Sequence, residues 1–122
     1  MNDGWRELSA NEAEVIRKMT SKVSSQFTYE PKKYIGKLID EFGSLALRRR
    51  EEAEDPVLAN VMPLVSAYFD DDNNKDTMGP FVHLIIFWDG SLLRELQIYR
   101  DDGGIVRKEI LADDLFEITP EG

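Results

Sequence analysis

The residues of this chain best suited to chemistry are a single histidine, two acidic segments and one strand carboxylate. His83 lies in Phe81-Val82-His83-Leu84-Ile85-Ile86-Phe87-Trp88, the most apolar run of the sequence. A Ser–His–Asp triad or a multi-histidine metal site would have to use it as the sole imidazole. A packing histidine within a strand is the simpler account. Asp70, Asp72, Asn74 and Asp76 set oxygen ligands at alternate positions, as a calcium loop does. That pattern wants glycine at position 75 and glutamate at position 81, where this chain has Lys75 and Phe81. The stretch therefore reads as a loop, and neither a metal nor a cofactor is expected. Glu95 could be half of a glycosidase-type carboxylate pair, but the fold sets the separation such a pair needs. A polar partner across a hairpin explains it more economically. Gly36, Gly43, Gly79, Gly103 and Gly104 make no phosphate-binding fingerprint and read as turns or bulges.

Charge narrows the partners. Arg48-Arg49-Arg50 is the one basic run, and Glu51, Glu52, Glu54 and Asp55 follow at once and cancel its field. The net charge of −9 repels phosphate backbones and anionic membrane surfaces, so no nucleic acid and no membrane is expected as partner. A basic protein is compatible with that charge, although solubility alone explains it. If a protein does bind, the expected contact surface is acidic. It comprises Asp70, Asp71, Asp72 and Asp76 with the turn Asp101-Asp102, and Trp5 serves as an aromatic anchor ahead of the first helix. Trp88, beside a hairpin turn, reads as core.

These residues need elements to hold them. Ser9-Ala10-Asn11-Glu12 fits a capping box, and Ile16, Met19, Val23 and Phe27 recur on one helical face. The spacing predicts a helix from residue 10 to about 24. Residues 33–50 fit a hairpin best, from Tyr34–Asp40 and Ser44–Arg48; a helix ending at Gly43 is the alternative. Leu64–Phe69 and Phe81–Trp88 read as strands, the second apolar on both faces as if covered on each side. Asp89-Gly90 suits a two-residue type I′ turn into Leu92–Arg100, with Leu92, Leu96 and Ile98 sharing a face. Ile105–Leu111 reads as a further short strand or an extended tail, and the apolar residues of 113–118 should dock back.

The whole is expected to be one domain over residues 1–122, an α+β fold with an N-terminal helix packed on a mainly antiparallel sheet of about four to five strands. An apolar fraction of 42% argues for a folded chain. No apolar run approaches the ~20 residues of a membrane span, and Met1–Glu7 resembles no secretory signal. With no cysteine, disulfides and thiolate sites are excluded, and a cytoplasmic setting is the default expectation.

Three short motifs carry a resemblance. Arg6-Glu7-Leu8-Ser9-Ala10-Asn11-Glu12, Gly43-Ser44-Leu45 and Asp89-Gly90-Ser91-Leu92-Leu93-Arg94-Glu95-Leu96 resemble, in order, motifs of a family of small uncharacterised bacterial proteins. The likeness implies an immunity-like role beside bacterial toxins and brings no catalytic residues with it. The leading expectation is a non-enzymatic binding module for another protein. The alternative is a small-ligand domain or enzyme with a pocket between helix and sheet, lined by His83, Glu95 or Tyr99. A homo-oligomer pairing exposed sheet edges is a third possibility.

Overall fold

The computed structural model describes residues 4–23, 29–52, 60–71 and 79–121. In chain order these form β1 (Arg6–Glu7), α1 (Ala10–Thr20), β2 (Tyr34–Leu38), β3 (Leu45–Arg49), β4 (Met62–Phe69), β5 (Val82–Trp88), β6 (Leu93–Arg100) and β7 (Phe116–Pro120). All strands join one antiparallel sheet in the order β1-β2-β3-β6-β5-β4-β7. The α+β class is as expected, but the sheet has seven strands rather than four to five. The additional strands lie at its edges: β1 has two residues, and β7 is interrupted by Glu117 in the left-handed region at φ 50°. Two residues are too few for alternation to mark β1, and Phe116-Glu117-Ile118-Thr119 alternates over only four residues. Shortness at one edge and Pro120 at the other leave little template for a further strand.

The capping box at Ser9 is present: its hydroxyl accepts from the Glu12 amide at 3.0 Å, and the Glu12 carboxylate accepts from the Ser9 amide at 2.8 Å. Arg6 adds two bonds to the same carboxylate at 2.7 and 2.9 Å, which, ahead of the Ser9 bonds, hold its carboxyl below the usual range. Val15, Ile16 and Met19 turn inward. The helix stops at Thr20, a turn short of the expected end, where the Thr20 and Ser21 hydroxyls bond back to Ile16 and Lys18 carbonyls. Positions 24–28 lie outside the described residues.

Tyr34–Leu38 and Leu45–Arg49 form the expected hairpin, closed through Gly43 at φ 97° with Asp40 accepting from the Phe42 and Ser44 amides. The Asp89-Gly90 turn needs correction. The loop runs over four residues, 89–92, because the Asp89 carboxylate accepts from the Ser91 and Leu92 amides and from Arg94. Burial opposes that charge, but the Leu92 amide and Arg94 outweigh it and keep the carboxyl below the usual range. Pairing then passes from Trp88↔Leu93 to Phe87↔Glu95, leaving Arg94 as a bulge. The bulge changes the strand's phase, so Leu93, not Leu92, is fully buried with Leu96.

One face of the sheet lies under α1. Leu45, Leu47, Val65, Phe69, Val82, Leu84, Ile86 and Leu93 are fully buried against Val15, Ile16 and Met19. Each such side chain contributes about 1.5–3 kcal/mol by leaving water. The side chain of Arg100, opposite Val82, is also buried and donates to Asp71 at 2.7 Å and to Asp102 at 3.0 Å. Its guanidinium, helped by the Gly104 amide, holds the Asp102 carboxyl well below the ordinary range. Among the described residues, no helix is long and apolar enough to cross a membrane.

Candidate functional site

The second face of the sheet has a different composition. Strand registers set Phe116 of β7 opposite Tyr68 of β4, Tyr68 opposite His83 of β5, and His83 opposite Tyr99 of β6. Four rings thus form one row across four strands. Tyr68 and Phe116 stack with centroids 5.8 Å apart, Tyr68 meets His83 edge-on at 4.6 Å, and His83 lies parallel to Tyr99 at 4.8 Å and 5°. Such pairs each add about 0.5–1.5 kcal/mol beyond their burial. They remain partly open to solvent: Tyr99 is 37% exposed, and Ile85 and Phe87 continue the half-covered surface along β5. The expectation that β5 is fully covered on both sides is therefore not met. The C-terminal segment extends the sheet as an edge strand and leaves this face uncovered by β7.

At the end of the row, Asp101 joins the rings to the backbone. One of its carboxylate oxygens pairs with His83 Nε2 and the other accepts from the Phe81 amide at 3.1 Å. Phe81 stands edge-on to Phe116 at 5.4 Å and 82°. With Glu117, these residues border a notch of about 310 Å³. Glu95 shares the face but opposes Phe87 and Ala46, not a polar partner across the hairpin as expected. Burial, then the nearby Asp40 charge, pushes its carboxyl above the usual range.

A larger pocket, about 530 Å³, does lie between helix and sheet, under residues 106–110. Val15, Leu45, Leu84, Leu96 and Ile98 line it, whereas His83, Glu95 and Tyr99 face the opposite side of the sheet. The alternative expectation joined the right pocket to the wrong residues. Polar groups at this pocket already serve the fold: Asn11 donates to the Ile110 carbonyl, and Glu12 is held by Arg6 and Ser9.

The expected acidic contact surface divides. Asp101 and Asp102 are exposed, but Asp70 is buried and Asp71 is closed into its pair with Arg100. Asp72 and Asp76 lie outside the described residues. Trp5 is 3% exposed beneath the Arg48 guanidinium, 4.6 Å from its ring, and is no free anchor. The arginine run is likewise dispersed, Arg49 towards Tyr34 and Arg50 to Glu7 at 2.6 Å. Sequence reasoning missed Tyr68, Phe81, Phe116 and Glu117. The motifs that carried the resemblance serve the fold here, as caps and turns. Comparison with protein-family models, curated proteins and solved structures finds no match to this chain.

Proposed function

We propose that this chain is a non-enzymatic protein-binding module, immunity-like or regulatory towards a basic partner, and that it binds through the face of its sheet opposite α1. The partly exposed row Phe116–Tyr68–His83–Tyr99 carries this reading. Rings held by strand registers, three of the four with polar atoms, supply large contact area at small entropy cost, as interface anchors do. The net charge of −9 speeds encounter with a basic protein. Against catalysis, among the described residues the side-chain hydrogen bond of His83 goes to Asp101 and no serine, threonine or cysteine hydrogen-bonds to the pair.

The test is a paired capture from the source cells with the wild type and with Tyr68→Ser/Tyr99→Ser, at low and high salt. A basic protein held by the wild type, weakened by salt and lost from the folded double variant is the expected outcome. Equal retention by the double variant, or no partner at either salt, removes the reading.

The pocket under residues 106–110 favours a second reading, a small apolar ligand, because about 530 Å³ is within the range of ligand sites. Native mass spectrometry of gently purified protein tests it: a retained small molecule supports it, and fragment screening with no shift at Val15 or Leu84 sets it aside.

A further inference from the structure

We propose that residues 108–111 are a gate over the pocket between α1 and the sheet, hinged at Arg107 and Ala112 and latched by Asn11; this rests on the small-ligand reading of that pocket. Val15, Leu45, Leu84 and Leu96 line a space of about 530 Å³, yet none of them is more than 3% exposed. An apolar ligand therefore reaches them only if a wall moves. Three of the walls are firmly built. Leu45, Leu84 and Leu96 belong to strands paired on both edges, and Val15 lies in a capped helix. The turn through Phe42 and Gly43 is held by two amide bonds to the Asp40 carboxylate. The fourth wall, residues 106–110, is neither helix nor strand.

That wall is fixed unevenly. At Arg107 the backbone amide donates to Asp71 at 2.7 Å, and the same carboxylate pairs with the buried Arg100. At the other end Ala112 is buried and begins a short 3₁₀ turn, its carbonyl accepting from the Leu115 amide. Between these points Lys108, Glu109 and Leu111 are exposed, and Ile110 is half-buried. The Ile110 carbonyl accepts from Asn11 Nδ2 of α1, which ties the segment across the pocket mouth. The Lys108 ammonium stands 5.7 Å from the Phe69 ring centre, near the limit of cation–π reach. One neutral hydrogen bond thus carries most of the latch, and its net worth is small enough for local opening. Charges at the rim balance, Arg107 and Lys108 against Glu12 and Glu109, and the floor is apolar. The space behind the gate therefore suits an uncharged apolar ligand.

The chain has no cysteine, so a single thiol placed in the floor reports the opening. Val15→Cys is alkylated with iodoacetamide under native conditions and followed by mass spectrometry; Ile98→Cys, on the same floor, replaces it if that variant does not fold. When closing is fast, the rate tracks the open population. Adding Asn11→Ala should raise the rate about fivefold, the order of one net hydrogen bond. Asn11→Asp removes the donor yet suits the first turn of a helix, and should do the same. Val65→Cys, fully buried and outside the pocket, controls for global unfolding and should keep its rate. An unchanged rate in the floor, or equal acceleration at position 65, would overturn the gate. N-phenyl-1-naphthylamine, an uncharged apolar probe, should protect the floor thiol saturably and enter faster in Asn11→Ala. If Asn11→Ala accelerates the floor alone but neither this probe nor native mass spectrometry finds a ligand, the gate stands and the small-ligand reading falls. If a ligand is found while Asn11→Ala leaves both rates unchanged, the pocket reading stands and the gate falls.

Discussion

The two sides of β5 are built from alternate residues of one strand, yet they have opposite properties. Val82, Leu84 and Ile86 are wholly buried beneath α1, whereas His83, Ile85 and Phe87 are partly exposed on a face that carries rings from four strands. The helix side is specified by volume, since close packing leaves little freedom in residue size. The open side is specified by register, since its rings meet only if four strands align. Stability should therefore be concentrated on the first side, and recognition on the second.

That contrast can be broken in order of expected effect. Asp71→Ala, at the rim of the helix side, removes one of the two carboxylates that pair with the buried Arg100 and should cost about 3–5 kcal/mol in urea unfolding. Asp71→Leu/Arg100→Met removes both charges and should regain most of that loss; no recovery would show that the pair is not the cause. Leu84→Ala should cost about 2–5 kcal/mol, while its neighbour Ile85→Ala should cost about 1 kcal/mol or less. Equal losses at the two positions would erase the distinction between the sides. Tyr99→Ser should change stability by about 0.5–1 kcal/mol, yet with Tyr68→Ser it should abolish partner capture.

Glu95 offers the smallest and most pointed effect. Its carboxyl is raised in the folded chain, so the native state binds more protons than the unfolded one between the ordinary glutamate range and the raised value. Stability contributed by this group falls as pH rises through that window. Glu95→Gln should accordingly gain up to about 0.5 kcal/mol at neutral pH, a gain that fades as pH drops below the ordinary range. Thermal melts of the two proteins across that range measure it.

Much of the frame was legible because local chemistry agreed with it. The Ser9–Glu12 capping box, the hairpin through Gly43 and the strands Leu64–Phe69 and Phe81–Trp88 each carry their own signals. The open face was not legible, for an arithmetical reason. A two-residue turn at Asp89-Gly90 pairs Trp88 with Ser91 and His83 with Leu96. The four-residue loop and the Arg94 bulge instead set His83 against Tyr99, three positions further along. An odd displacement exchanges the faces of a strand. His83 and Tyr99 were singled out, but for a pocket on the wrong side. Phe116-Glu117-Ile118-Thr119 alternates apolar and polar residues, but so short a run reads equally as a segment docking back, and no residue type announces the left-handed glutamate.

Ser44 has a consequence of another kind. The strands β3 and β6 share only the pairs Leu45↔Leu96 and Ala46↔Glu95, and they join the N-terminal meander to the C-terminal one. Beside them the fully buried Ser44 hydroxyl accepts from the Ile98 amide at 2.8 Å and donates to the Ile98 carbonyl at 3.2 Å. A side chain thus acts as a rung of the ladder where the backbones part. The backbone pairing between the two meanders runs through this narrow seam, so they are natural units of partial unfolding where the shared core loosens. Slow solvent exchange at the Ile98 amide would register how long they stay joined.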